Sequence, residues 1–304
     1  MRFSTISHGS KTLNTILIIG FGDIGQRVAS IWLTEGAKVH ALSRTPEKLN
    51  TPGVTLHQGD LDDACGLSTL PTKEALLYYF APPPAEGDND PRVEQLLAGI
   101  NPGALPQRVV YISTSGVYGD CQGAIVTEET VPRPETGRAR RRRAAEQAFL
   151  AWGKIHTVPI TILRVGGIYG PGRLPIQRIQ QGTPILKREE APYSNRIHAD
   201  DLAEICVCAG QQTGPSTIYN TCDGEHSTMS EYFLAVAEAA GLTPPPQISW
   251  AETQEQFSPT MLSYLTESRR MDISKLKREL NYQFRYPNLK AGLVACFKPE
   301  EKSS

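Results

Sequence analysis

Residues 15–25, TILIIGFGDIG, decide the fold of this chain: an apolar run leads into a glycine-rich turn, and a helical pattern follows. The apolar run predicts a buried strand. Gly20 allows a tight turn, Gly22 lets the backbone approach a pyrophosphate, and Gly25 lets the following helix pack closely on the strand. The helix N-terminus then faces the anion, so we expect a dinucleotide-binding turn; an ordinary glycine turn in a βα unit is the alternative.

Composition limits the classes of ligand and partner. The 304 residues carry a formal net charge of −1, which provides no general attraction to nucleic acid or anionic membranes. The six cysteines are scattered without zinc-ligand spacing, and we expect reduced thiols and no metal. Residues 1–14 predict a loose N-terminal extension, and no run approaches the ~20 apolar residues of a membrane span. The expected protein is cytoplasmic, a monomer or homodimer, with a small-molecule partner.

Strands alternate with helices over the first half of the chain. This alternation is typical of an α/β fold with a Rossmann-type, doubly wound parallel sheet. We expect the dinucleotide-binding part at 15–172 and a smaller substrate-binding part at 173–304, with interleaving of the two left open. The predicted strands are 15–19, 37–42, 54–58, 75–80 and 108–113, and the predicted helices are 26–35, 92–100, 199–209, 229–240 and 273–280.

The residues at the end of the second strand indicate which dinucleotide is bound. An acid about twenty positions after the glycines would bind the ribose of NAD, whereas an arginine accommodates the 2′-phosphate of NADP. Ser43 and Arg44 stand at this place, and Glu47 comes too late, so we expect NADP, with NAD possible. Asp60 and Leu61 follow the third strand and could hold an adenine, although Asp60 is equally suited to cap a helix.

Four further segments follow one another in an order that matches a known family. They are STSGVYG at 113–119, LRVGGIYGPG at 163–172, RIHADDLA at 196–203 and Tyr219-Asn220. With the glycine turn, they make the chain from Thr15 onward resemble the extended short-chain dehydrogenase/reductase superfamily, the NAD(P)-dependent epimerase/dehydratase group. The resemblance implies an oxidoreductase, epimerase or dehydratase acting on a sugar-like or nucleotide-linked substrate.

The family's catalytic residues carry over only in part. Its Ser or Thr corresponds to Thr114, with Ser115 beside it, but the Tyr and Lys of its YxxxK motif are missing. Thr136 and Arg140 take these places in the preferred register. A register anchored on residues 144–146 would instead place Arg138 and Arg142 there. Either way the phenol is lost, and a threonine hydroxyl cannot be brought to the pKa that proton transfer requires.

Two hypotheses about activity follow. In the first, the chain is an atypical enzyme, and Tyr118 or Tyr169 is the substitute phenol, although aromatic packing is the more ordinary role for both. In the second, it is a catalytically impaired NADP-binding sensor or regulatory protein. The arginine run 138–143 is interpreted as mostly solvated, with Arg138 or Arg140 turned inward.

The expected site residues fall into three groups. The catalytic candidates are Thr114, Ser115, Thr136, Arg140 and Tyr118. The substrate-binding candidates are Tyr169, Arg173 and Arg196, with Arg269 as a further anion contact. The cofactor-binding candidates are Gly20, Phe21, Gly22, Asp23, Ile24, Gly25, Ser43, Arg44, Asp60, Leu61, Ala81, Pro82 and Ser113.

Overall fold

The computed structural model describes residues 15–49, 51–64 and 66–297. The strands are β1 (Thr15–Ile19), β2 (Lys38–Ser43), β3 (Val54–Gln58), β4 (Leu76–Tyr79), β5 (Arg108–Thr114), β6 (Ile125–Val126), β7 (Ile160–Val165), β8 (Gly167–Tyr169), β9 (Ile185–Leu186), β10 (Tyr193–Ser194), β11 (Arg196–His198), β12 (Thr217–Thr221), β13 (Ser227–Thr228), β14 (Gln247–Ile248) and β15 (Arg270–Met271). The α-helices are α1 (Asp23–Thr34), α2 (Pro91–Gly99), α3 (Gly137–His156), α4 (Ile176–Gln180), α5 (Ala199–Gly210), α6 (Met229–Ala239), α7 (Trp250–Gln256), α8 (Pro259–Leu262), α9 (Ser274–Leu280) and α10 (Leu289–Phe297).

A parallel sheet forms the centre of the molecule. The described residues place seven strands in the order β12-β7-β5-β4-β1-β2-β3, and every neighbouring pair is parallel. From β1 the chain adds β2 and β3 on one side of the sheet, and from β4 it adds β5, β7 and β12 on the other side. This reversal creates a crevice at the carboxyl ends of β1 and β4, where ligands of doubly wound sheets bind. The predicted fold class is confirmed.

Helices cover both faces of the sheet because alternate strand residues point to opposite sides. In β1, Ile16 and Ile18 join a core that includes residues of α1 and α5. Leu17 and Ile19 join the other core, which includes residues of α2 and α3. All four side chains are fully buried, so β1 belongs to both cores.

A smaller core forms beyond the sheet, from Tyr169, Ile185 and residues of α6 and α10. Helix α6 begins with a capping box, in which Thr228 accepts from the backbone of Glu231 and the Glu231 carboxylate accepts from the backbone of Thr228. Gly241, at φ +65°, follows the helix end.

Most predicted elements are observed with ends shifted by one to three residues, α1 the most because its first turn begins within the glycine motif. The chain beyond residue 172 contributes to both regions: α5 packs on α1, and β12 pairs with β7 in the central sheet. The predicted N-terminal extension 1–14 and Cys65 lie outside the described residues.

Within the described ranges, no helix is long and apolar enough to cross a membrane. No group of three or more potential metal ligands is found in that part of the chain. Cys121, Cys206, Cys208, Cys222 and Cys296 are free thiols.

Candidate functional site: a glycine-loop cavity and two adjoining cavities

Each glycine of the predicted turn has a distinct steric role. Gly20 has φ +95°, and a Cβ there would lie 2.4 Å from the backbone nitrogen of Ala81. A Cβ on Gly25 would lie 2.8 Å from the carbonyl oxygen of Gly20, so this glycine permits close packing of α1 on β1. Gly22 is different, because a Cβ there would meet no atom within 4 Å. Gly22 is also the N-cap of α1 without a side-chain cap, so the helix N-terminus is open to a ligand.

We call the cavity beside this turn the glycine-loop cavity. It has a volume of about 510 Å³ and is lined by every predicted cofactor residue except Ser113. Asp60 accepts a hydrogen bond from the backbone of Asp62 and begins a turn, so the alternative of a helix cap is wrong. Four arginines line the cavity: Arg44, Arg92, Arg142 and Arg173.

Two of these four arginines are neutralised by carboxylates. Arg92 binds Asp62 through two hydrogen bonds, and Arg173 binds Asp23. Partial burial acts to raise the pKa of Asp23, but the hydrogen bonds from Arg173 and Arg27 hold it below its usual range. The salt bridges found among the described residues include neither Arg44 nor Arg142.

The cavity beside the end of β5 is called the Thr114 cavity. It has a volume of about 250 Å³, and Thr114, Ser115 and Arg138 line it. Arg138 donates to the hydroxyl of Ser263 at 2.9 Å and to its carbonyl at 3.2 Å, and its guanidinium lies 3.9 Å from the ring centre of Tyr264. The structure therefore brings the predicted hydroxyls together with an arginine and with a phenol that the sequence did not indicate.

The arginine helix resolves the choice of register. Helix α3 begins at Gly137, and Thr136 is its N-cap, with the Thr136 hydroxyl accepting from the backbone of Ala139. Arg140 pairs with Asp88 at the surface, where its side chain is 44 % exposed. Neither Thr136 nor Arg140 lines the cavities described here, so the structure does not bring the residues of the preferred register to them.

The alternative register agrees with the geometry. Arg138 lines the Thr114 cavity and Arg142 lines the glycine-loop cavity, because residues four apart share one face of a helix. Arg142 donates to Ala81 O at 3.4 Å, Tyr111 Oη at 3.3 Å and Ile112 O at 3.1 Å, all neutral acceptors. The sequence signal for this register was the segment 144–146.

The rest of the arginine run is not the solvated face expected from the sequence. Arg141 is buried and donates to the carbonyl of Gly87. Arg143 pairs with the fully buried carboxylate of Glu146. Each arginine of the run meets a different neighbour, because successive helical residues point about 100° apart.

Ser113 and Tyr118 belong to a buried polar network rather than to the site. Ser113 donates to Glu146 at 2.7 Å, and Arg164 binds the same carboxylate through two hydrogen bonds. The Tyr118 hydroxyl donates to Asn220 and accepts from Arg164. Burial raises the pKa of Tyr118 to about 12, although Arg164 acts to lower it. Ser113 and Tyr118 therefore do not line the cavities described here, where the cofactor contact and the catalytic role were expected.

Tyr169 also lies away from the cavities described here. Its fully buried ring packs edge-on against His198, and its hydroxyl faces the carbonyl of Asn288 at 3.4 Å. Burial raises its pKa well above the usual range. Tyr169 thus belongs to the smaller core, and the structure does not bring it to the cavities where a substrate contact was expected. His198 accepts from the backbone of Asp200 and caps α5.

The third cavity, called the Tyr232 cavity, has a volume of about 290 Å³. Arg173 lines both this cavity and the glycine-loop cavity, and Arg196 lines both this one and the Thr114 cavity. The three cavities are therefore neighbours. Arg178, which the sequence analysis missed, also lines it and lies 5.0 Å from the ring centre of Phe233.

These features define a class of protein: a Rossmann-type fold whose glycine turn opens a cavity at a helix N-terminus, beside two smaller cavities under the C-terminal part. Residues 94–222 match the model of the NAD dependent epimerase/dehydratase family. The resemblance found in the sequence is confirmed.

Three relatives cover nearly the whole chain. Protein YeeZ of Escherichia coli strain K12 is 26 % identical over 291 residues, which span 91 % of this chain and 97 % of YeeZ. A functionally unknown conserved protein from Silicibacter pomeroyi DSS is 28 % identical with a TM-score of 0.77, over 93 % of this chain and 98 % of that one. MoeE5, solved in complex with UDP-glucose and NAD, shares the fold at 22 % identity and a TM-score of 0.74, over 92 % of this chain and 96 % of MoeE5.

Proposed function

We propose that the chain binds NADP and acts on a nucleotide-linked sugar. The observation that carries this proposal is the open N-terminus of α1 at Gly22, where backbone N–H groups face a cavity large enough for a dinucleotide. The MoeE5 structure holds NAD together with UDP-glucose, which supports a nicotinamide dinucleotide beside a sugar nucleotide.

The preference for NADP rests on Arg44. It lines the glycine-loop cavity with Ser43, at the end of β2, and it forms no salt bridge with the described carboxylates. Its charge is therefore available to a 2′-phosphate. Asp60 and Leu61 border the same end of the cavity and suit the adenosine.

The substrate is proposed to occupy the other two cavities. Arg178 and Arg196 line the Tyr232 cavity together with apolar and aromatic side chains, a setting that suits a diphosphate beside a nucleobase. The sugar would then lie in the Thr114 cavity, with the hydroxyls of Thr114 and Ser115 positioned to hold its reacting oxygen.

Bound NADP would supply hydride transfer. Arg142 keeps a positive charge in the glycine-loop cavity and could hold the ribose, but an arginine is effectively never deprotonated and cannot relay a proton. General acid/base catalysis contributes ~10²–10⁴-fold, so we expect turnover weaker by about that factor than in a relative with the full Ser/Thr, Tyr and Lys set, or none.

The test is hydride exchange with NADPH against a panel of sugar nucleotides and carbonyl compounds. The double variant Arg138→Tyr with Arg142→Lys should increase exchange, since it places the missing pair on the helix face that lines the cavities. Thr136→Tyr with Arg140→Lys is the matched control and should not. If NADPH binds but neither the native chain nor the first variant exchanges hydride, the enzyme proposal fails, and the NADP-binding sensor becomes the better explanation.

A further inference from the structure

The Thr114 cavity has an excess of positive charge. Its charged lining residues are Arg138, Arg196, Arg269 and Glu267, which sum to +2. Arg269 and Glu267 are both buried and pair with each other, and Arg269 also donates to the carbonyl of Gly119. The uncompensated charge therefore belongs to Arg138 and Arg196.

Arg138 is held in place by neutral groups. Its two described hydrogen bonds go to the hydroxyl and carbonyl of Ser263, and the ring of Tyr264 lies against its guanidinium. These contacts orient the group without cancelling its charge. A guanidinium has five N–H donors, so Arg138 keeps donors for a further acceptor.

The charge and the N–H donors of Arg196 are even less well matched by neighbouring groups. Its Nε is buried and has no hydrogen-bond partner among the described residues, Nη2 meets the sulfur of Met229 at 2.9 Å, and Tyr232 lies 3.9 Å from the guanidinium. Burial lowers its pKa, as expected for a cation taken out of water. The charge of Asp223 acts to raise the pKa of Arg196. However, burial raises the pKa of Asp223 itself to about 7, so this carboxyl is only partly ionised at neutral pH.

We propose that the Thr114 cavity binds the carboxylate of an acidic sugar, with Arg138 as the principal partner of the carboxylate and Arg196 at the junction with the Tyr232 cavity. This inference rests on the proposed function, which places the sugar in the same cavity. A carboxylate supplies a counter-charge, which both guanidinium groups lack, accepts from the donors that remain, and matches the planar fork of arginine.

The carboxylate also offsets the cost of burying the charge of Arg196. Desolvated cations without a counter-ion are unfavourable, and an anionic ligand would restore the balance when it binds. A neutral sugar offers only hydroxyls and leaves the excess charge in place. The cavity therefore discriminates between an acidic sugar and its neutral counterpart.

The experiment is calorimetry on the NADP-saturated protein with UDP-glucuronate, UDP-glucose and free UDP as probes. UDP-glucuronate should bind about tenfold or more tightly than UDP-glucose. Arg138→Gln should remove this advantage. Lys154→Gln removes one positive charge from an exposed position on the same helix and serves as the control that keeps the advantage.

The outcomes separate the two proposals. Equal affinities for UDP-glucuronate and UDP-glucose, or an advantage that persists in Arg138→Gln, would overturn the carboxylate site while leaving the sugar-nucleotide proposal intact. If neither sugar nucleotide binds more tightly than free UDP, the proposed sugar subsite fails, and the carboxylate site fails with it. NADP binding is measured separately and reports on the glycine-loop cavity alone.

Discussion

Gly22 and Gly20 are two residues apart in one motif, yet their replacement should have opposite consequences. Gly22 has φ −85° and ψ −160°, an extended conformation open to any residue, and a side chain there meets no protein atom within 4 Å of its Cβ. Gly22→Leu should therefore change the free energy of unfolding by no more than ~0.5 kcal/mol. Its side chain would occupy the space in front of the α1 N-terminus, where we place the pyrophosphate.

The expected loss of affinity follows from the hydrogen bonds that the leucine blocks. Each bond from a backbone N–H to a charged phosphate oxygen contributes ~1.5–3 kcal/mol, so losing two should weaken binding by roughly 10²–10⁴-fold. Gly20→Ala should instead lower the stability of the fold. Its φ of +95° and the 2.4 Å approach to Ala81 N should destabilise the fold by at least ~1–3 kcal/mol.

Calorimetry with NADP and NAD, combined with thermal unfolding, distinguishes these effects. Gly214→Leu is the matched control, because Gly214 also has open space around its Cβ but lies outside the cavities described here. It should keep both stability and affinity. If Gly22→Leu binds both dinucleotides as tightly as the native chain, the pyrophosphate does not lie at this turn and our reasoning is refuted.

Three further predictions concern cofactor choice and stability. Arg44→Ala should abolish the roughly tenfold or greater preference for NADP over NAD in calorimetry, and equal affinities in the native chain would contradict the assignment. Glu146→Gln should destabilise the fold by ~3–5 kcal/mol in denaturant unfolding because it leaves buried Arg164 without its counter-charge, whereas loss of the exposed partner in Asp88→Asn should cost no more than ~1 kcal/mol. Burial raises the pKa of Asp223 to about 7, above its ordinary 3.8, so its contribution to stability is present below about pH 4 and is lost as the pH rises through 7. The Tm of the native chain should thus fall relative to Asp223→Asn between pH 4 and 8, and parallel pH profiles would disprove this.

The central sheet and its glycine turn could be predicted from the sequence because their signals are local. A buried strand needs a short apolar run, and the tight turn needs a residue that tolerates positive φ, as Gly20 does. The capping box of α6 is also a local signal, because it needs only Thr228 and Glu231, three residues apart. The lining of the glycine-loop cavity followed from these elements, since the carboxyl ends of parallel strands meet at one edge.

Only the tertiary structure decided which arginines face the site and which tyrosines do not. One turn separates Arg138 from Arg142 on the same face of α3, but Arg140 lies about 200° around the helix from Arg138 and reaches the surface. The sequence left this rotation open, because α3 carries arginines on every side. Tyr118 and Tyr169 do not line the cavities, because the distant residues Asn220 and Asn288 accept hydrogen bonds from their hydroxyls inside the protein. Contacts between residues far apart in the chain leave no local pattern, and they determine which side chains line the cavities.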